Sequence, residues 1–227
     1  MNQTEVLDTL DALIQSRSIL GHPFYEAWQS GELTRENIAT YAKVYYPHVE
    51  AFPGYLESAV NCTVDPVIRS ELEQNLADEL SNPKPHSELW LDFAEELGQD
   101  RQLVTSTEPH PAAVSTISTF VRLTRRDIVS ALAALYAYES QQPGVSREKM
   151  RGLRQHYGIR SEKGLAYFGV HASTDIRHRE GEREALLRCL NGGASKEAAL
   201  HAASDALDAY WKLLDGICQE VDLHLAN

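Results

Sequence analysis

Two histidines and an aspartate occur at helical spacing in the second half of the chain. In the segment YFGVHASTDIRHRE, His171, Asp175 and His178 stand at positions i, i+4 and i+7, which places the three side chains on one face of a helix, on successive turns. Neutral imidazole and carboxylate suit iron, manganese and zinc, and the absence of cysteine from the set disfavours a structural zinc site. The spacing predicts a metal site, although a solvated helical face can show the same pattern.

Further carboxylates and a histidine would complete such a site. Glu139 ends the most apolar stretch of the chain, ALAALYAYES, and an acidic side chain there is costly to bury unless it is paired or binds a metal. Glu79 precedes His86 by seven residues. The alternatives are a solvent-facing carboxylate in a charged region for Glu79 and a helix-start residue for His86. Six such ligands on two metal ions would leave open coordination positions for dioxygen or substrate.

The charge of the chain argues against nucleic-acid binding. Its 227 residues contain 21 Lys and Arg against 33 Asp and Glu, a net charge of −12, whereas phosphate recognition needs basic patches. No apolar run approaches the ~18 residues of a membrane helix, and the N-terminal segment lacks the basic start and apolar core of a secretory signal. Three cysteines without CxxC spacing fit buried, reduced thiols better than a disulfide framework. We therefore expect a cytoplasmic protein without membrane or nucleic-acid partners.

Helix signals dominate the sequence that must position the candidate ligands. Pro143 is expected to end one long helix, and the segment 108–111 is read as a linker too short to separate domains. The fold prediction is all-α, with a single domain over residues 1–227 that forms a compact bundle of about eight helices. The predicted helices cover residues 6–14, 23–30, 34–61, 66–81, 86–97, 112–140, 161–190 and 195–225.

Prolines are expected to interrupt two of these helices. Pro47 and Pro53 should kink or break the helix over 34–61, and the segment 82–85, Asn-Pro-Lys-Pro, should separate two helices. In an unbroken helix Glu79 and His86 would lie ~10 Å apart along the axis. The break between them is what would let both side chains reach one site.

The ligand order resembles that of a known superfamily, the haem-oxygenase-like dimetal oxidases and oxygenases. The resemblance narrows to the branch typified by the Chlamydia protein associating with death domains, because HPFYEAWQSGEL at 22–33, YYPHVEAFPGYL at 45–56 and the region of Lys149 are also similar. It implies a haem-oxygenase-like bundle of seven to eight helices and two metal ions, either two irons or manganese with iron. Dioxygen and a reductant would be co-substrates. The ligands implied are Glu79, His86, Glu139, His171, Asp175 and His178.

The same resemblance implies an activity, the synthesis of para-aminobenzoate for folate biosynthesis by cleavage of the enzyme's own tyrosine. Tyr25 and Tyr41 occupy the positions of tyrosines near the metals, and Lys149 occupies that of a reactive lysine that donates the amine. From the residues alone, core packing of the rings and a solvated lysine are the alternatives. His22 and His48 are kept as side chains that would support the ligands. A homodimer and an unidentified electron donor are also expected.

Other functions are compatible with parts of the sequence. The first alternative is a conventional dimetal oxygenase that acts on a diffusible small molecule. The second is a metal-free relative, but thiaminase-type members need a cysteine on the helix that ends near Glu139, where this chain has none, and quinone-synthase-type members lack the six ligands. A haem-degrading enzyme would need an axial histidine such as His22. The third is a non-catalytic interaction protein, and metal content separates it from the first.

Overall fold

The computed structural model describes residues 3–223, which contain helices and no strand. The predicted all-α class is therefore confirmed for these residues. Besides a 3₁₀ turn at Ile19–Gly21, the α-helices are α1 (Gln3–Ser16), α2 (Pro23–Ser30), α3 (Arg35–Asn61), α4 (Pro66–Ser81), α5 (His86–Glu96), α6 (Arg101–Ser106), α7 (Pro111–Arg126), α8 (Ile128–Glu139), α9 (Gln142–Gln155), α10 (Glu162–Asn191) and α11 (Lys196–Glu220).

Short polar side chains begin several of these helices. The Thr34 hydroxyl accepts a hydrogen bond from the Asn37 N–H, and the Asn37 side chain accepts one in return from the Thr34 N–H. Asp65 accepts from the N–H groups of residues 67 and 68 at the start of α4, and Ser161 caps α10. Each of these caps stabilises a helix end by ~1 kcal/mol.

Helix α8 forms the centre of the bundle. All its residues from Val129 to Glu139 are buried, and α7, α10 and α11 pack around it. A helix that is apolar on every face is stable in water only when neighbours enclose it. Helix α3 packs against α4, α5 and α7, and α9 packs against α2 and α10. This arrangement points side chains of α4, α5, α8 and α10 toward one interior region.

The single helix predicted over 112–140 is wrong. The chain leaves the helical conformation at Asp127, whose φ is −166° and ψ 164°, and the Asp127 carboxylate accepts a hydrogen bond of 2.8 Å from the Ser130 N–H. This residue is the N-cap of α8, and its signal is hidden within an apolar run. Pro143 was expected to end a helix but lies in the first turn of α9, where a proline has no N–H bond to lose.

Other boundaries also differ from the prediction. Helix α3 runs through Pro47 and Pro53 without the expected break, because α4, α5 and α7 pack along it and tertiary packing outweighs the hydrogen bonds that the prolines remove. Neither α6 nor α9 is among the predicted helix ranges. Helix α11 ends at Glu220, and Leu225, where the predicted helix ended, lies outside the described residues. Within residues 3–223, no helix combines the length and apolar character needed to cross a membrane.

Candidate metal centre

Six buried side chains from four helices meet in the interior between α4, α5, α8 and α10. Each is exposed by 6% or less. They are the six residues that the resemblance implied as ligands. They form two groups of three. In each group, the atoms that could bind a metal ion lie within 4.8 Å of one another. The first group is Glu79, His86 and His171, and the second is Glu139, Asp175 and His178.

The connection between α4 and α5 brings the first pair together. Helix α4 ends at Ser81 and α5 begins at His86, so the proline-rich segment 82–85 turns the chain as predicted. As a result Nδ1 of His86 lies 2.9 Å from Oε1 of Glu79. A continuous helix would have kept these two side chains about two turns apart.

Each of the three histidines uses one ring nitrogen to contact a protein acceptor. Nδ1 of His171 lies 2.9 Å from Oδ2 of Asp175, itself a candidate ligand, whereas the other two rings contact residues outside the six. Nε2 of His86 lies 3.1 Å from the carbonyl oxygen of Asn82, and Nε2 of His178 lies 3.1 Å from Oδ2 of Asp78. Histidines that bind metals characteristically donate their second N–H to a carbonyl or carboxylate in this way, which fixes the tautomer and the ring orientation. Asp78 and Asn82 therefore orient the two rings.

The remaining nitrogens of these rings face carboxylates without forming hydrogen bonds. Nδ1 of His178 lies 3.3 Å from Oε2 of Glu139. Among the described residues, Nδ1 of His86, Nδ1 of His178 and Nε2 of His171 are buried and have no hydrogen-bond partner. Orphaned imidazole nitrogens beside carboxylates are the donor set of an iron, manganese or zinc site. The residues present therefore fit two divalent transition-metal ions.

Burial and neighbouring carboxylates set the protonation of the site. Burial lowers the pKa of His171 to about 3, so its imidazole is neutral, as a metal ligand must be. Burial also opposes charging of His178, but the carboxylates of Glu139 and Asp78 outweigh it and raise that pKa to about 9. Burial and then the Glu139 carboxylate raise the pKa of Asp175 well above its usual range. Metal ions that bind here would displace protons.

Three side chains that contact the site were not predicted. Asn75 donates from Nδ2 to both oxygens of Glu139, at 2.9 and 3.2 Å. Asp78 binds His178, and Glu182 is buried against Glu139. The sequence contains a signal for Glu182, because it follows His178 by four residues and so lies on the same helical face. No sequence signal distinguishes Asp78 from the surface carboxylates around it.

The two supporting histidines predicted from sequence lie elsewhere. His22 caps α2, where its Nδ1 accepts from the Phe24 N–H at 3.1 Å, and its Nε2 lies 3.1 Å from Oδ1 of Asp215. His48 packs among aromatic rings, with Nδ1 3.3 Å from the Tyr55 hydroxyl oxygen. In the described part of the chain neither forms a hydrogen bond or ion pair with the six residues. The expected supporting role is therefore wrong.

Lys149 is buried in a cage of aromatic rings and is 2% exposed. Within residues 3–223, no carboxylate forms an ion pair with its amine, and burial lowers its pKa to about 7. A substantial fraction of the amine is therefore neutral at neutral pH. The ring centroids lie 5.3 Å from Nζ for Tyr25, Tyr41 and Tyr45, 5.5 Å for Phe168 and 5.9 Å for Trp90.

A row of ring contacts joins this cage to the six residues. The hydroxyl oxygens of Tyr25 and Tyr41 lie 3.3 Å apart, and burial raises the pKa of both phenols well above its usual range. The Trp90 ring centroid lies 5.6 Å from that of Tyr41 and 4.8 Å from that of Tyr167. Tyr167 in turn lies 4.3 Å from the ring of His171. The two predicted sets of residues are thus neighbours connected through aromatic side chains.

A small cavity lies against both groups of candidate ligands. Its volume of about 10 Å³ is roughly that of one water molecule, which is too small for an aromatic substrate. Surface cavities of 420 to 560 Å³ are lined by none of the six residues. The small cavity is lined by Val49, Phe52, Glu79, Tyr138, Glu139, Tyr167, His171 and Asp175.

Comparison with known proteins gives consistent matches over most of the chain. Residues 39–211 match the family described as iron-containing redox enzymes. The chain is 39% identical over 214 residues to the 4-aminobenzoate synthase of Chlamydia muridarum, which covers 94% of this chain and 90% of the relative. Identity to the 4-aminobenzoate synthase of Nitrosomonas europaea is 37% over 223 residues, with coverage of 92% and 89%.

A solved structure shows the same architecture. A domain with a heme oxygenase-like fold from Shewanella denitrificans matches with a TM-score of 0.80 at 18% identity, covering 98% of this chain and 94% of that one. At this level of identity the likeness shows the fold alone. It confirms the predicted haem-oxygenase-like bundle.

Proposed function

Because this chain belongs to the family of iron-containing redox enzymes, together with the 4-aminobenzoate synthases, we propose that it makes 4-aminobenzoate with a centre of two transition-metal ions. Such a centre, when bound, passes electrons from a reductant to dioxygen and so supplies oxidising power. Two irons, or manganese with iron, suit its carboxylate and imidazole donors. The residues that would hold the ions are Glu79, His86, Glu139, His171, Asp175 and His178.

The ring of the product comes from the chain itself, at Tyr25. The observation that carries this proposal is the burial of Lys149 with its Nζ 5.3 Å from the centroids of the Tyr25, Tyr41 and Tyr45 rings. The resemblance selects Tyr25 among the three. A neutral amine is a nucleophile, and the pKa of about 7 keeps a fraction of Lys149 neutral. The 10 Å³ cavity supports the same proposal, because it leaves no space beside the ligands for an external aromatic molecule.

The chemistry balances on these two side chains with dioxygen as the oxidant. A tyrosine ring with Cβ already has the carbon skeleton of 4-aminobenzoate. The Cα–Cβ bond breaks, Cα takes up a hydrogen so that glycine is left at position 25, and Cβ is oxidised to the carboxyl carbon. These changes release four electrons, which reduce one dioxygen to water. At the other end of the ring, Nζ of Lys149 bonds to Cζ, the phenolic oxygen leaves as water, and the lysine Nζ–Cε bond breaks with oxidation of Cε to a carbonyl. The two electrons released there, with two from the reductant, reduce a second dioxygen. Because both side chains are consumed, each chain completes a single turnover.

The ring contacts between Tyr25 and the candidate ligands explain how Tyr25 could be oxidised without touching the metal centre. Tyr25 is not among the residues that line the small cavity. Its hydroxyl contacts Tyr41, and ring contacts continue through Trp90 and Tyr167 to His171. Electrons leaving Tyr25 would pass along these rings. The proposal also includes three properties expected from the sequence: a homodimer, a separate electron donor and a cytoplasmic location.

Isotope labelling tests the origin of the product. Tyrosine labelled in the ring is incorporated during expression, and the reduced, metal-loaded protein is then exposed to oxygen in buffer without aromatic compounds. We expect labelled 4-aminobenzoate and a mass loss in the peptide that contains Tyr25. The variants Tyr25→Phe and Lys149→Arg should yield only background. Tyr46→Phe, on the same helix as Tyr41 but hydrogen-bonded to Glu50, is the matched control and should yield as much as the parent.

Two results would contradict parts of this proposal. Equal yields from Tyr25→Phe, Lys149→Arg and the parent would exclude the self-sacrificing reaction at these positions, even with an intact metal centre. Unlabelled product formed only after an external aromatic compound is added would favour a conventional oxygenase that acts on a diffusible molecule.

A further inference from the structure

Glu182 continues the face of α10 that carries three of the candidate ligands. It follows His178 by four residues and Asp175 by seven, so its side chain projects from the same side of the helix on the next turn. The residue is 1% exposed. Its carboxyl group therefore lies in the interior beside the second group of candidate ligands.

The surroundings of this carboxyl group are acidic. In the described part of the chain, no N–H or O–H group donates to either oxygen of Glu182. Its neighbours are the carboxyl group of Glu139, which lies against it, and those of Asp175 and Glu71. On the surface side Glu71 packs so closely on α10 that a Cβ at position 181, where the chain has glycine, would lie 2.0 Å from its Oε1. Glu182 is thus buried, and no basic side chain of residues 3–223 forms an ion pair with it.

In its ionised form, a carboxylate buried in this way needs a partner that residues 3–223 do not supply. An unpaired buried charge is strongly destabilising, and buried charges are therefore normally compensated by an ion pair, hydrogen bonds or a metal ion. A divalent cation beside Glu139 would compensate the charges of Glu139, Asp175 and Glu182 together. The other group of candidate ligands has a single carboxylate, Glu79, with two histidines, so the two sides of the centre differ in charge.

We propose that Glu182 is a seventh protein ligand, a carboxylate that binds the ion held by Glu139, Asp175 and His178. The inference rests on the proposed metal centre and adds a ligand that the sequence pattern did not include. That ion would then be bound by three carboxylates and one imidazole. The competing explanation is that Glu182 keeps its proton and serves only as a hydrogen-bond donor to Glu139.

Binding of Mn²⁺ to the apoprotein separates these explanations. Free aqueous Mn²⁺ is measured by electron paramagnetic resonance during titration of the parent, Glu182→Gln and Glu180→Gln. Glutamine can still donate a hydrogen bond to Glu139 but is not an anionic ligand. Glu180 is exposed on the same helix, so its variant is the matched control for charge. We expect Glu182→Gln to keep one ion and to bind the other at least ~10-fold more weakly, while Glu180→Gln matches the parent.

The outcomes distinguish failure of this inference from failure of the proposed centre. Binding of two ions by Glu182→Gln as tightly as by the parent would overturn the inference and leave the centre intact. A parent protein that binds no second ion would overturn both. If the variant does not fold, a crystal structure of the Mn²⁺-loaded parent decides the question. A Glu182 oxygen bonded to the ion supports the inference, and one beyond bonding distance overturns it.

Discussion

The amine of Lys149 is held by rings from four helices and has no counter-charge in the described structure. Burial lowers its pKa from 10.5 to about 7, so between these values the folded chain binds fewer protons at this residue than the unfolded chain. The free energy of unfolding then rises with pH across that window and is lowest below it. Lys149 therefore lowers the free energy of unfolding at neutral pH. A residue that destabilises the fold in this way is expected to have a chemical role.

Replacing this lysine by an apolar residue of similar length should stabilise the protein. We expect Lys149→Met to raise the free energy of unfolding by roughly 2–5 kcal/mol at pH 7, because no amine has to be desolvated, and to flatten its rise between pH 7 and pH 10. Urea unfolding at several pH values measures both effects. Lys212→Met, at an exposed position, is the control and should change stability by less than ~0.5 kcal/mol. A less stable Lys149→Met protein would contradict the uncompensated burial.

At the residue scale, the sequence predicted a site where the spacing of the side chains places them on one face of a helix. His171, Asp175 and His178 could be grouped by periodicity alone, Glu139 stood out as an acid at the end of an apolar run, and the resemblance strengthened the pairing of Glu79 with His86. The burial of Lys149 could not be predicted, because its neighbours in SREKMRGLRQHYG are polar and charged. The role of Asp78 was equally hidden, since it depends on α10 reaching α4 in the folded chain.

At the element scale, a close approach of α9 to α2 positions the lysine cage. A Cβ at Gly152 would lie 2.6 Å from Cδ1 and Nε1 of Trp28. The Trp28 indole also donates to the Lys149 carbonyl oxygen at 3.4 Å and packs 5.5 Å from the ring of Tyr41. The missing side chain at position 152 is what allows the two helices to hold the rings around the amine.

Adding a methyl group at this contact should separate the helices. We expect Gly152→Ala to lower the free energy of unfolding by about 1–3 kcal/mol, because Trp28 must shift within a packed core. Thermal unfolding measures it. Gly144→Ala is the control on the same helix, where a Cβ meets nothing within 4 Å, and it should be neutral or stabilising by up to ~1 kcal/mol. Equal stability of the two variants would contradict the close contact.

The start of α8 offers a second test of the elements. The Asp127 carboxylate caps this helix through the Ser130 N–H, so Asp127→Ala should lower the free energy of unfolding by about 0.5–2 kcal/mol. Asparagine is an equally good cap, and Asp127→Asn should therefore retain most of the stability. Urea unfolding of the two variants measures the difference. Identical losses would show that the cap contributes nothing and that the charge of Asp127 matters instead.

Prediction of the elements succeeded where a local signal marks a boundary. Asp65 followed by Pro66, the prolines of segment 82–85 and the glycine pair 192–193 all separate helices in the structure. It failed at Asp127, where an apolar run hides a cap, and at Pro47, where packing overrides the local preference of a proline. Both failures arise because tertiary contacts contribute more free energy than the local sequence does.

At the scale of the whole molecule, the fold does not determine which reaction the protein catalyses. A structure with 18% sequence identity shares this architecture with a TM-score of 0.80, so the bundle alone does not specify a reaction. The proposed reaction depends on side chains that α4, α5, α8 and α10 bring to one interior region, and of these helices only α4 and α5 are consecutive in the sequence. Helical periodicity predicted the bundle, but only the ligand order of the six residues linked it to dimetal chemistry.

The central claim is that these six residues hold two transition-metal ions, and metal content tests it most directly. Protein produced in medium supplemented with iron and manganese should contain about two such ions per chain. His171→Ala and Glu139→Ala, one from each group of ligands, should each lose metal, while His201→Ala, at an exposed position, should retain it. Unchanged metal content in both His171→Ala and Glu139→Ala would contradict the account.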